Sequence, residues 1–417
     1  MNSSKRDANG FGGTQTITAL VTGAHHPTGL GSARALRAAG ARVIGFSECA
    51  DSPTFRSRAW SDIRALSARS PRAVAEEIVS FADSLDGPIF LLPTEDLLAR
   101  EFSRIQNEFP EQLRASLPAL ETVELLLNKT QFASWASERD FPIPKTVILN
   151  SDEALVEAIE DFPFPAILKP LVRTAEWQKN SPLQKALLLE GPGDIKSISF
   201  PLFSAAPAYV LSEWIAGADS DVHYCLSFLD SESEMVASFT GRKLLQFPRL
   251  TGSTAVCGDT DDPGLTALTA ELFKAAGCTG LASLEVKRSA QDGGYFITEP
   301  TVGRPNLQSP SAMLSGVNLV GIAMRHAWGR DFSDLVAPRR SCMWFEEQAV
   351  FQVLISRSRV PISRRLIASQ ALRSRRFAGA YLALSDPAPF LGVLGIWLRQ
   401  AWRWVRRRSD LSNPSNR

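Results

Sequence analysis

The sequence predicts an α/β region followed by an α+β region, closed by a helix-prone basic extension, and three observations carry that prediction. Short β-branched apolar runs alternate with helical patterns over roughly the first hundred residues. From about residue 119 to 330, strand candidates with period-two apolar spacing dominate. Charge is split: from Ser356 onward there are thirteen Arg, no Lys and two acids, a net of +11, so the first 355 residues carry −10 within a total of +1. At 417 residues with 44% apolar and 21% charged side chains, the chain is long enough for two to four ordinary domains. That balance excludes a fibrous or mostly disordered chain, and the near-zero total gives no chain-wide attraction to nucleic acid.

Residues 1–15 are polar and read as a disordered leader. They have no apolar run of the kind a signal peptide needs, so a cytoplasmic chain is expected. Ile17–Ala24 reads as a buried strand. Gly29-Leu30-Gly31 opens an Ala/Leu/Arg helix that Gly40 ends, and ARVIGFS is the next strand, a β-α-β unit. A helix near 71–85, a strand at PIFLLP and a helix near 96–109 continue the alternation, which implies a parallel sheet covered on both faces. ETVELLLNKTQFASWASERD then reads as one helix. Ser151 caps a further helix, whose Ala154, Leu155, Ala158 and Ile159 form one apolar stripe. FPAILKPL, AYVLSEWI, DVHYCLSFLD, EMVASFTGRKLL, LASLEVKR and GYFITEP read as strands. The region from about Asp331 reads as helical, and its apolar run Phe390–Leu398 is too short to span a bilayer.

The five Cys and four His are scattered, with no metal-ligand or disulfide spacing, so reduced packing thiols are expected. VTGAHHPTGLG lies between a strand and a helix, where a phosphate could meet helix N–H groups, but the glycine spacing is irregular. None of the four Tyr has Lys four residues on, which counts against an NAD(P)-dependent oxidoreductase of the short-chain type. The simpler reading is a tight strand–helix turn.

Four further signals suit a nucleotide triphosphate and a magnesium ion. Lys129 follows an acidic helix start. Lys169 ends the apolar strand AILK. YVLSEWIAG leads to Asp219 and Asp221. Glu285 and Glu299 sit at strand ends around a QDGG turn. Lysines supply compact cations for phosphates, and carboxylates anchor magnesium while it bridges substrate oxygens. Taken singly, each is more often a solvated charge, and Asp221 more simply closes a turn.

In chain order, Asn128-Lys129 with Phe132, then FPIP, ILKP, EWIAG, Glu285-Val-Lys and Glu299-Pro-Thr301-Val-Gly-Arg304 resemble the ATP-grasp superfamily of carboxylate–amine ligases, over about residues 16–330. The match is nearest to a group of predicted ATP-dependent carboligases, some linked to exopolysaccharide biosynthesis, with a carbamoyl-phosphate-synthetase-like ATP-binding domain. The resemblance implies a Rossmann-like pre-ATP-grasp domain at 16–118, a two-lobed ATP-grasp domain at 119–330 with a lid at about 140–211, and an Arg-rich helical extension at 331–417. It implies an acyl-phosphate mechanism using ATP and Mg2+, or Mn2+ in its place. It places ATP phosphates on Lys129 and Lys169, adenine against the Ser212, Glu213 and Ile215 stretch, ribose on Asp221 with Asp219 as rival, and metal on Glu285, Glu299 and Thr301. Arg242 and Arg304 become clamps for the substrate carboxylate, with Lys243 a weaker candidate. Thr301 stands where the family usually has Asn, and Asn306 is a substitute to consider. The loop after Lys169 has no Gly, so Lys179 or Lys185 would do its work. A non-catalytic ATP-binding protein is the main alternative.

The expected partners are a small carboxylate and an amine, not nucleic acid. A homodimer is left open. WLRQAWRWVRRR interleaves Trp397, Trp402 and Trp404 with Arg, as peripheral contact with an anionic membrane or docking on an acidic surface would require.

Overall fold

A computed structural model describes residues 15–171, 176, 187–198, 201–290, 293–356 and 362–411. Residues 1–14 of the leader and the loop lysines Lys179 and Lys185 lie outside the described residues. The chain forms two compact units. Unit 1 comprises Met1–Leu127, His223–Leu284 and Pro300–Arg417; unit 2 comprises Asn128–Val222 and Glu285–Glu299.

Unit 1 begins with strands β1 (Thr18–Val21), β2 (Arg42–Ser47), β3 (Asp62–Ala65), β4 (Ile89–Leu92) and β5 (Leu113–Ala115), ordered β3-β2-β1-β4-β5 and all parallel. The continuous apolar runs have a direct cause. Leu20, Ile44, Ile89 and Leu91 enter one core with Ile78 and Phe102, while Ala19, Val21, Val43 and Phe90 enter another with Leu30 and Leu36. Each fully buried Leu or Phe contributes about 1.5–3 kcal/mol, and truncating one to Ala costs roughly 2–5 kcal/mol. The helix Pro71–Asp83 starts where Pro71 presets φ and the Ser70 hydroxyl accepts from Ala73 N–H.

The stretch read as one helix is two, Leu120–Leu127 and Lys129–Ser137. Asn128 leaves the helical region at φ −82°, ψ 105°, and its side-chain oxygen accepts from Thr130 and Gln131 N–H. Asn competes with the backbone in this way, so it ends one helix and caps the next.

Unit 2 is built on β6 (Thr146–Leu149), β7 (Ala166–Pro170), β8 (Leu187–Leu189) and β9 (Tyr209–Glu213), ordered β6-β9-β7-β8 and antiparallel. Its core packs Leu149, Ala166, Leu168, Tyr209 and Leu211 with Leu155 and Phe162.

A seven-stranded sheet follows, from β10 (Val222–Leu229), β11 (Met235–Phe247), β12 (Ser253–Asp259), β13 (Gly280–Arg288), β14 (Tyr295–Val302), β15 (Cys342–Phe345) and β16 (Arg376–Gly379), ordered β14-β13-β10-β11-β12-β15-β16. β13 and β14 belong to unit 2 over Glu285–Arg288 and Tyr295–Glu299. Residues 331–417 are helical over Glu347–Ile355, Arg364–Arg373 and Ala388–Leu411, but they also add two short strands that the helical reading lacks. β15 pairs antiparallel with β12, and β16 pairs parallel with β15 after the helices Glu347–Ile355 and Arg364–Arg373. Burial decides the matter: Cys342, Met343 and Trp344 are all buried, which a surface helix could not arrange.

The phrase LSDPAPF fastens this extension to the start of unit 1. Asp386 is buried and accepts from Ser57 Oγ at 2.5 Å, Arg34 Nε at 2.9 Å and Arg58 N–H at 3.2 Å. Arg34 also donates to the Ala380 and Tyr381 carbonyls. The buried Glu347 carboxylate accepts from Tyr381 and Leu382 N–H. A Cβ at Gly379 would lie 2.1 Å from Glu347 Oε1, so only glycine fits there.

Candidate active site

Lys129, Lys169, Ser212, Glu213, Ile215, Asp221, Glu285 and Glu299 all fall in unit 2. The register of its sheet explains part of the arrangement. Ala166, Leu168 and Leu211 point to the core, so Ile167, Lys169, Val210 and Ser212 occupy the opposite face, with Lys169 across from Val210 and Ile167 across from Ser212. Lys169 is exposed on that face. Ser212 Oγ is 2.7 Å from Thr146 Oγ1 on β6. Lys129 is the exposed first residue of the helix that Asn128 caps.

At the end of β9 the chain turns. Glu213 N–H donates to Lys145 O, Glu213 Oε2 accepts from Lys145 N–H, and Trp214 N–H donates to Pro165 O. These bonds leave a short extended edge in which Ile215 is buried. Gly217, at φ +151°, has no room for a side chain: a Cβ would lie 2.7 Å from Asp221 Oδ2 and 3.3 Å from Lys287 Cε. Asp221 accepts from Ala218 N–H at 2.7 Å, which closes the turn, and Asp219 is buried beside it.

Sequence reasoning placed Lys287 in the Glu285-Val-Lys motif but gave it no role. Its side chain is buried, with Nζ 4.1 Å from the centre of the Trp214 ring. Burial pulls its pKa below the usual lysine value, while Asp221 and Asp219 pull the other way. A buried ammonium over an aromatic face and near two acids ties the Trp214–Asp221 stretch to β13. The available signal was its spacing, two residues after Glu285 on a strand whose apolar residues are buried.

Glu285 and Glu299 lie on neighbouring strands, as the turn between them predicted. Thr298 Oγ1 donates to the Glu285 carbonyl at 3.0 Å, and Ser289 N–H donates to Gly294 O near the turn. Ile297 N–H donates to Pro142 O, tying β14 to the FPIP segment. Glu299 is exposed and Glu285 half-buried. No group of three or more His, Cys, Asp or Glu side chains suited to a metal exists among the described residues. Two carboxylates still fit magnesium, which keeps water or substrate oxygens and takes one or two protein carboxylates. Thr301, two residues further along β14, is buried and brings a hydroxyl in place of an amide.

Arg242, Arg304 and Thr301 belong to unit 1. Arg242 is half-buried on β11, across from His223 on one side and Gly258 on the other. Lys243 is buried and donates to Gln246 Oε1. Arg304 Nε bonds Asp96 Oδ1 at 2.5 Å and its Nη1 donates to Pro305 O, so part of this guanidinium holds a loop. Asn306 donates to Ser283 Oγ and accepts from Leu307 N–H. Its amide oxygen is thus engaged in its own turn, which weakens it as a substitute ligand.

The N-terminal glycines are explained by packing. Gly23 has φ +60°, and a Cβ on Gly29 would lie 2.3 Å from Gly23 O, so the helix Pro27–Ala38 can start against β1 only without side chains. Sequence reading also missed the charges gathered there. Loss of hydration, then the charges of His25 and Arg304, hold His26 below the ordinary histidine value. The cysteines are free. Burial pushes Cys225 and Cys257 up to about 12 and raises Cys278 and Cys342 further, which suits packing and excludes ready thiolates.

No family model matches the sequence. The chain is similar to a D-aspartate ligase from Enterococcus faecium (strain Aus0004), 25% identical over 239 residues, which cover 55% of this chain and 56% of that protein. The chain thus spans about half the length of that relative. Among solved structures, an N5-carboxyaminoimidazole ribonucleotide synthetase in its ADP complex matches with a TM-score of 0.60 at 12% identity, over 86% of this chain and 95% of that one. A phosphoribosylglycinamide synthetase from Anaerococcus prevotii matches with a TM-score of 0.56 at 15% identity, over 78% and 80%. The biotin carboxylase domain of a Hydrogenobacter thermophilus 2-oxoglutarate carboxylase, in complex with MgADP, ADP and bicarbonate, matches with a TM-score of 0.57 at 14% identity, over 78% and 73%. At these identities the structural likenesses speak for the fold.

Proposed function

We propose that this chain, which has the ATP-grasp fold, is an ATP-dependent carboxylate–amine ligase. The observation that carries the reading is that two lysines and two glutamates, from two stretches of chain more than sixty residues apart, fall in one compact unit. The solved relatives named for ADP and MgADP complexes support ATP and magnesium as its cosubstrate and ion. The likeness to a D-aspartate ligase supports an amino-acid carboxylate as the first acid to try. In this reading residues 16–118 are the pre-ATP-grasp domain, 119–330 the ATP-grasp domain with its lid at about 140–211, and 331–417 an added extension.

In the proposed reaction a carboxylate oxygen attacks the γ-phosphorus, the bond to the β–γ bridging oxygen breaks, and ADP leaves an acyl phosphate. The amine nitrogen then attacks the acyl carbon, phosphate departs, and the amine loses a proton to give an amide. Magnesium, held by Glu285 and Glu299 with Thr301 beside them, would neutralise charge on the transferring oxygens. Lys129 and Lys169 hold the phosphates as point charges. Ser212 and Glu213 end the paired strand β9, and Ile215 just beyond it offers a backbone and an apolar contact for the base, with Asp221 or Asp219 an acceptor for the ribose. Arg242 and Arg304 orient the carboxylate, a planar group that guanidinium matches. The place of action is the cytoplasm, with peripheral membrane contact through the C-terminal Arg/Trp segment. No helix among the described residues is long and apolar enough to cross a membrane.

The test is ADP release from Mg·ATP with pairs of amino acids and amines, with products identified by mass. Amine-dependent ADP formation and an amide product are expected. ATP binding with no ADP for any pair would instead favour a non-catalytic ATP-binding protein.

A further inference from the structure

Two elements of the C-terminal extension expose apolar side chains that a monomer in water has no reason to display. On the helix Glu347–Ile355, Val353 is buried, yet Leu354 is 73% and Ile355 58% exposed. On the helix Ala388–Leu411, Phe390, Val393 and Trp397 pack against the core of unit 1. Gly392 lets that helix lie within 3.1–3.3 Å, measured from its missing Cβ, of Pro53 and Arg56. Leu391, Leu394 and Leu398, at i, i+3 and i+7, form a second stripe on the same helix, and all three are exposed. The two elements meet where Phe351 and Trp397 stack, ring centres 5.0 Å apart at 21°. The sequence after Leu398 continues with Arg399, Trp402, Arg403, Trp404, Arg406 and Arg407, rich in Arg and Trp.

Charge selects the occupant. Arg364, Arg365, Arg373, Arg375, Arg376 and Arg399 are exposed in the same extension. From Ser356 onward there are only two acids, and one of them, Asp386, is buried against Arg34 and neutralises none of these arginines. One face of the terminal helix is already docked on unit 1, so docking on the chain's own acidic surface does not account for the leucines. Nucleic acid would use the arginines but gain little from protruding leucines. An apolar stripe flanked by Arg and Trp is what lies flat in the headgroup layer of an anionic membrane.

We propose that the faces Phe351–Ile355 and Leu391–Leu398, with the arginines around them, seat the protein on an anionic lipid surface. Leu354, Leu391, Leu394 and Leu398 enter the acyl boundary while the guanidinium groups meet phosphates. The proposal is independent of the ligase reading, because none of these residues belongs to the candidate active site.

The experiment is vesicle flotation with the full chain, using phosphatidylcholine vesicles and vesicles of phosphatidylcholine mixed with phosphatidylglycerol. Binding to the mixed vesicles at least about tenfold above the neutral ones, weakening as salt rises, is expected. Leu354→Glu and Leu398→Glu together should cut that binding about tenfold, from lost burial of two leucines, with the melting temperature and ATP binding unchanged. No flotation, or equal flotation with both vesicle types, would overturn the proposal. So would a dimer in sedimentation velocity, without lipid, that the same double variant converts to monomer, because a second copy would then be the occupant.

Discussion

Charged residues do different work in the two units. In unit 1 the telling ones are locked inside: Asp386 by Arg34, Ser57 and Arg58, Glu347 by backbone N–H groups, Glu101 by Arg100 and Arg104. In unit 2 Lys129, Lys169 and Glu299 stay exposed, on a helix start, a sheet face and a strand end. Buried charge that is fully paired holds a fold together, and its loss is felt as instability. Charge at the surface of a rigid element contributes little to stability, whatever it pairs with there. The two units should therefore respond to substitution in opposite ways.

The sharpest way to break this comparison is Glu299→Ala. If magnesium is held there, ADP production should fall roughly 100-fold or more, several kcal/mol of transition-state stabilisation, with the melting temperature unchanged. A lower melting temperature with normal turnover would place Glu299 among the structural charges. Next is Asp386→Ala, which strands a buried guanidinium and should cost about 3 kcal/mol in urea unfolding while leaving turnover per folded molecule intact. Lys169→Ala should weaken ATP binding about tenfold by calorimetry, the loss of one charge-assisted contact, with little change in stability.

A pH series sharpens the same contrast. Burial would raise the Asp386 pKa, but Ser57, Arg34 and Arg58 outweigh it and hold the carboxyl below its usual value. Its contribution is complete above the unfolded value, about 3.9, and is lost as pH falls through the depressed folded value. Asp386→Asn should therefore flatten the acid side of a melting-temperature profile. A profile that keeps its acid slope would show that other carboxylates set it. The smallest effect expected is that of Thr301→Asn. An amide oxygen in place of a hydroxyl should lower the magnesium concentration for half-maximal ADP production, by roughly threefold.

How much of this was legible depended on the range of the signal. The parallel sheet was readable because strands buried on both faces are continuously apolar, as in IFLL at β4. The Glu285/Glu299 hairpin was readable because a Gly-rich turn sits between two short apolar runs. The break at Asn128 was missed although its residue type announces a cap, because the leucines before it and the aromatics after it share a helical period. β15 and β16, four residues each, were missed because no periodicity can be read in so short a run among arginines that favour helix. Arg34 and Asp386 stand 352 positions apart, and nothing local marks such a pair. The lysines and glutamates were proposed from their order along the chain, which spacing alone would not have supplied.

Asp386 reaches back to residues made almost at the outset of synthesis. Arg34, Ser57 and Arg58 emerge from the ribosome hundreds of residues before the carboxylate that satisfies them. Until then the nascent N-terminal sheet must wait with that corner open to water. A chain cut short just before Asp386 would therefore leave its earliest-made part unfinished as well as lacking its end.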